Sequence, residues 1–172
     1  MDYKPLFADL NDASDVWVYV STEPLSDNQS QALLRSLATF SEGWSSQGRA
    51  VHAGYQIIDS QILILGAWID GGDISGCGID KSLHLIDGFA ATHGFSWLDA
   101  LSVVYRNTSN QLKVVSRPAF RQLVRNQTVT AETIVLDPTL RVLSDIRAGM
   151  LEKPASESWH SMVFQIPQLT AI

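Results

Sequence analysis

"AVHAGYQIIDSQILILGAWI", residues 50–69, decides the fold class. Two runs rich in β-branched and aromatic residues flank Asp59-Ser60, a pair of turn formers. The stretch therefore reads as a β-hairpin with strands at 50–58 and 61–69. The second strand is continuously apolar from Ile62 to Leu65, the pattern of a strand covered on both faces. The first carries His52, Tyr55 and Gln56, as an edge strand can. A sheet covered on both faces needs further layers, and the flanking sequence has to supply them.

Upstream, "VWVYVS" (16–21) is β-branched and aromatic with no breaker, so it reads as a strand. Val16, Val18 and Val20 fall on one face and Trp17 and Tyr19 on the other, and both faces look buried. "SDNQSQALLRSLATFSEGWSS" follows, with Leu33, Leu34, Leu37 and Phe40 at helical spacing. Ser26 or Ser30 is the candidate cap, and Gly43 or Gly48 ends the helix. Downstream, a glycine-rich loop leads to a second helix at about 79–93, with Ile79, Leu83, Ile86 and Ala90 on its apolar face and Ser75 or Asp73 as cap. "LSVVYRN" and "QLKVVSR" around Thr108-Ser109-Asn110 read as a second hairpin. Pro118 suits the first turn of a third helix, "PAFRQLVRN", and "TIVLD" (133–137) is a last short strand.

The order strand, helix, strand, strand, helix, strand predicts an α+β protein with a ferredoxin-like split βαβ core (βαββαβ), extended by a hairpin, helix and strand. A doubly wound α/β sheet is the alternative. The chain reads as a single domain over 1–172, with a core at about 16–106 and a C-terminal extension at about 107–172. The reading places the first and third strands at the sheet centre and parallel to each other. "STEPLSD" (21–27) and "DGGDISGCGIDKS" (70–82) then lie together at one edge, where two helix N-termini converge into an anion site. Two helices leave the opposite sheet face to be covered by the region after residue 117 or by a second copy of the chain, so a homodimer is an option.

Composition narrows the class. Hydrophobic residues make up 45% and charged residues 17%, enough for a core and too little charge for disorder. No apolar run approaches the roughly 18 residues of a membrane span. The first residues lack a basic start followed by an apolar stretch, so the expectation is a cytoplasmic protein with no membrane partner. The net charge of −6 argues against nucleic acid as a partner. A single cysteine forms no internal disulfide and no multi-cysteine zinc site. Acidic residues concentrate before Leu101 and basic ones after it. Arg117, Arg121 and Arg125 recur every fourth residue on the third helix, either as a solvated face or as a basic stripe for an anionic partner.

The densest chemistry lies at 70–82. Aligned with a Walker A loop, Lys81-Ser82 fit its Lys-Ser, but Asp80 stands on the second required glycine and Ser75 on the first. A carboxylate there repels phosphate, which argues against ATP hydrolysis. Cys77 sits at a helix start, where the dipole and free N–H groups lower a thiol pKa, and Lys81 follows one turn on. Asp80 and His84 are spaced to pair on the helix surface. His84 lies about 10 Å along the helix from Cys77, too far for a direct dyad, so only His52 or His160 from elsewhere offers a base. A core-packed cysteine is the competing reading. Asp70 and Asp73 are a weak metal pair without EF-hand spacing, and the reading includes no metal and no cofactor. Trp17, Trp68 and Trp97 read as core, Trp44 as core or a partner anchor, and Trp159-His160 as sheet cover or interface.

"SGCGIDKS" followed by "LHLI", with a later "TIVLD" and "SWHSMVF", resembles a family of small uncharacterised bacterial proteins with an SGCxIDKS motif. Its members often carry the label of an ABC transporter ATPase. The resemblance spans about Val16 to Phe164, and its most specific part is residues 75–82. It implies ATP hydrolysis only through that label, from which the chain departs: it has no proper Walker A loop and no LSGGQ-type signature. The family has no established activity, so no catalytic role transfers. Two function classes stand. One is a non-catalytic binding or adaptor protein with a small-anion site formed by Ser75, Gly76, Cys77, Gly78, Asp80, Lys81 and Ser82. The other is a thiol-dependent enzyme using Cys77, with Asp80 and Lys81 as further catalytic candidates.

Overall fold

The computed structural model describes residues 2–167. Its first sheet is built on the hairpin above. Strand β1 is Asp15–Val20, helix α1 is Asp27–Gly43, the short ribbon β2–β3 is Ser45–Ser46 and Arg49–Ala50, and the hairpin strands are β4, His52–Ile58, and β5, Ile62–Trp68. Asp59 and Ser60 both take positive φ (52° and 54°), as the central residues of a type I′ turn require, and Gln61 N–H closes the turn on Ile58 O at 3.0 Å. The sheet order is β1-β5-β4, and β5 runs antiparallel to both neighbours. Ile62 to Leu65 are fully buried, as a central strand with two covered faces must be.

Two expectations need correction. The first and third strands are adjacent but antiparallel, with Asp15 opposite Ala67 and Val20 opposite Ile62. The direction follows from the connections. A helical crossover returns the chain to its starting direction and a hairpin reverses it, so β5 must run against β1. The α+β class holds, and the β1-β5-β4 order is that of a split βαβ unit. The fourth strand of a ferredoxin-like sheet does not join it. Strand β6, Ser102–Arg106, instead belongs to a second, four-stranded antiparallel sheet of order β7-β6-β8-β9, with β7 Leu112–Ser116, β8 Ile134–Leu136 and β9 Glu152–Pro154. β1 is thus an edge strand; among the described residues its free side meets isolated bridges at its start, Val142 at Asp15, and just past its end, Trp97 at Ser21.

Alternation along the strands sorts the core into layers. On one face of the first sheet, Leu63, Leu65 and Ala67 meet Leu33 and Leu37 of α1 and Ile86 and Phe89 of α2, Gly76–His93. On the other face, Val16, Val20, Ile62 and Ile64 meet Val104, Leu112 and Leu136 of the second sheet. Tyr3, Leu6 and Leu10 of the N-terminal turn join this inner core, with Leu143 and Ile146 of the short helix α4, Leu143–Arg147. The outer face of the second sheet, Val103, Tyr105 and Val135, is covered by Phe120 of α3, Arg117–Arg125, and Phe164 of α5, His160–Phe164. The layers run helix, sheet, sheet, helix. "SWHSMVF" therefore covers the outer side of the second sheet and not the β1 face, while "TIVLD" sends Leu136 into the inner core.

Candidate functional site

The antiparallel β1–β5 pair sends the two helix N-termini to opposite ends of the sheet. Ser26 caps α1 in a capping box with Gln29, and there Gln29 Nε2 donates to His93 O (3.0 Å), at the end of α2. Ser75 caps α2. There Trp44 Nε1 donates to Gly78 O (2.9 Å), at the end of α1. Residues 21–27 and 70–82 are not neighbours, and no two-helix anion site forms between them. Most of the 75–82 turn instead holds α2 in place. Ser75 Oγ accepts from Gly78 N–H at 3.2 Å and from Ser46 Oγ at 2.9 Å, while Ser75 N–H donates to Ser46 Oγ at 2.8 Å. A Cβ on Gly78 would stand 3.1 Å from Ser46 Oγ, so a larger residue would press on this close approach. Ser82 is buried and donates to Ile79 O at 2.7 Å.

The residues left facing solvent are Gly76, Cys77, Asp80 and Lys81. Cys77 is exposed, which removes the core-packed reading. His84 Nδ1 lies 2.7 Å from the backbone carbonyl of Asp80, so the expected carboxylate–imidazole pair is not formed. Asp70 and Asp73 diverge. Asp70 lies 3.4 Å from His52 Nε2, whose ring stacks on Trp68. Asp73 shares a small hollow with Asp15, whose carboxyl is pushed up by burial and then by the Asp73 charge. His160, the other remote imidazole, is buried in the outer layer. It is 2.7 Å from Ser158 Oγ, and burial pushes it down to about 4.

A polar hollow lies elsewhere, at the end of the sandwich where the two sheets meet. It has a volume of about 610 Å³, with Thr22, Ser60, Asn110 and Gln111 among its walls and Glu23 and Lys113 beside them. Asp59 and Arg106, at its base, belong to an ion cluster that links three elements and has Glu152 as its third member. Val104 faces the inner core, so two residues on Arg106 faces it too. Glu152 of β9 stands opposite Leu136 of β8, an inner-core residue. Arg106 Nε and Nη2 donate to the two oxygens of Glu152 at 3.2 and 2.5 Å. Nη2 also donates to Asp59 Oδ2 at 2.7 Å, and Nη1 to Asn110 O at 3.0 Å. Side-chain exposure is 9% for Arg106, 7% for Glu152 and 38% for Asp59, so only Asp59 is open to a ligand.

Burial opposes the Arg106 charge, and the bonds to Glu152 and Asp59 outweigh it, holding the guanidinium charged. Tyr3 is 4% exposed, and its hydroxyl has no hydrogen-bond partner among the described residues. Burial, and next the Glu152 charge, push this phenol up. Sequence reasoning missed this cluster. The available signal is parity: an arginine on the inward row of an apolar strand needs a buried counter-charge. Set against family models, curated proteins and solved structures, the chain matches none of them.

Proposed function

We propose that the protein is a binding module that takes a small polar ligand in the cleft between its two sheets. The observation that carries this reading is the fixed Arg106–Glu152–Asp59 cluster at the base of the cleft. A charge locked by bidentate contacts is preorganised, and a preorganised wall costs little ordering when a ligand arrives. The lining sets the ligand class. Thr22, Ser60, Asn110 and Gln111 offer neutral donors and acceptors, while Glu23 and Asp59 bring negative charge to the lining and Lys113 positive charge. A zwitterionic, amino-acid-sized molecule fits that balance better than an apolar one. The test is an amide-shift NMR titration with free amino acids and dipeptides. Shifts at Thr22, Ser60, Gln111 and Lys113, weakened by Lys113→Ala, support the reading. Ligands that shift only residues 75–82 overturn it.

A second reading keeps the turn at 75–82, on which the family resemblance also rests. Cys77 is exposed at the second residue of an 18-residue helix, with Lys81 one turn further on. Under this reading Cys77 is the nucleophile and Lys81 its electrostatic support. Alkylation across pH decides it: a thiol that stays inert in the folded protein up to about pH 9, past the usual thiol pKa, sinks the enzyme. Nucleotide hydrolysis is not proposed. Asp80 stands where a phosphate loop needs glycine, and the Gly78 N–H is occupied by Ser75. Magnesium-dependent ATP turnover abolished by Lys81→Ala would reverse that position.

A further inference from the structure

The arginine stripe of α3 opens onto a second hollow, independent of the inter-sheet cleft. It has a volume of about 470 Å³ and lies between α3 and α5, with Arg121, Val124, Arg125, Gln127, Val163 and Gln165 in its walls. No Asp or Glu is among its lining residues. The ion pairs of the described residues use Arg106, Arg147 and His52, and none uses Arg121 or Arg125. Two guanidiniums on successive helical turns therefore face one concavity with no counter-charge among the described residues, in a protein of net charge −6. Arg121 is also held in place, its guanidinium carbon 5.6 Å from the centre of the Phe164 ring. Beside the charges lies apolar surface: Val163 is 44% exposed and Met162 81%. Gln127 and Gln165, in opposite walls, both take left-handed φ (59° and 53°), the common close of a helix C-terminus, and so bring the ends of α3 and α5 to the hollow.

We propose that this hollow binds a small organic anion. Its carboxylate or phosphate sits between Arg121 and Arg125, and its apolar body lies against Val124 and Val163. Charge and apolar surface both contribute, so neither a bare inorganic anion nor a neutral chain meets the whole site. The experiment titrates the full chain with octanoate and octyl phosphate, with octanol and inorganic phosphate as controls, and follows amide shifts at Val124, Gln127, Val163 and Gln165. Both amphiphilic anions should bind about tenfold tighter than either control, equivalent to about 1.4 kcal/mol. Arg125→Gln should weaken them by a similar factor, and Arg125→Lys should weaken them less. Arg125 is exposed and outside the core, so both variants should keep the parent melting temperature. Octanol binding as well as octanoate reduces the hollow to an apolar patch. Inorganic phosphate binding as well as octyl phosphate reduces it to an adventitious ion only. Either result, or an affinity unchanged by Arg125→Gln, overturns the proposal.

Discussion

Arg106 keeps its charge on the inward row of an apolar strand, and the consequences are measurable. Removing one partner of a buried ion pair leaves the others unpaired, so Arg106→Ala, which strands Glu152, should cost about 3–5 kcal/mol. Asp59 is the exposed member of the cluster, and Asp59→Asn should cost less than about 1 kcal/mol. Denaturant unfolding of the two variants decides the point; equal losses would mean that Glu152 and Arg106 do not anchor the junction. His160 gives a pH prediction. Unfolded, its imidazole titrates near 6.5, and folded, near 4. Between those values the unfolded chain binds the extra proton, so stability rises with pH across that window and is lost as pH falls through it. The full effect is about 3 kcal/mol, and His160→Gln should flatten the stability curve between pH 4 and 6.5. None of these partnerships was legible in the sequence. Arg106 and Glu152 are 46 residues apart, and nothing local to either names the other.

The long elements were legible, and of the shortest only β8 was, from the β-branched run of "TIVLD". β1, both hairpins, α1, α2 and α3 show their period or turn signal over enough residues to be read. β9 has three residues and α4 and α5 five each, too few for a periodicity to emerge. The N-terminal turn escaped for a different reason: its docking depends on what the sheet lacks. Gly54 of β4 and Gly66 of β5 are register partners, and together they form a shallow slot for the Phe7 ring. A Cβ on Gly66 would stand 2.9 Å from the ring, and one on Gly54 would stand 2.6 Å from it. Arg147 of α4 fastens the same turn, donating to the carbonyls of Leu6, Phe7 and Leu10 at 2.7 to 3.0 Å. Gly66→Ala should therefore destabilise by the ~1–3 kcal/mol of an overpacked core. Adding Phe7→Ala should recover part of that loss, because the clash goes with the ring. A double-mutant cycle with no coupling would place the cost in the strand itself.

At the scale of the molecule, strand alternation foretold that both faces of the first sheet are buried, and only the identity of the cover was open. Pairing is the part that periodicity cannot carry: a period of two says which residues share a face and not which strand lies beside them. The sequence placed β6 beside β1. In the structure β6 pairs with β7 and β8, and its Val104 packs against the valines of β1 from the facing layer. This arrangement determines the expected oligomeric state. The face that a ferredoxin-like dimer would use holds Val16, Ile62 and Ile64 at 0% exposure within one chain. Sedimentation at micromolar concentration should give a single species near 18.9 kDa. The same inner core ties the two sheets together, so they should unfold as one. Leu136 is 1% exposed and belongs to the second sheet, yet its side chain sits in the core shared with β1 and β5. Leu136→Ala should cost about 2–5 kcal/mol, and the loss should register equally on both sides of the junction. Trp17 and Trp97 report on the first sheet and its helices, and Trp159 on the outer layer of the second. Proteins retaining one of these tryptophans should give coincident denaturation midpoints, both displaced by Leu136→Ala. Midpoints that separate, with only the Trp159 probe responding, would mean that the two sheets are distinct folding units and that the layer between them is contact without cooperativity.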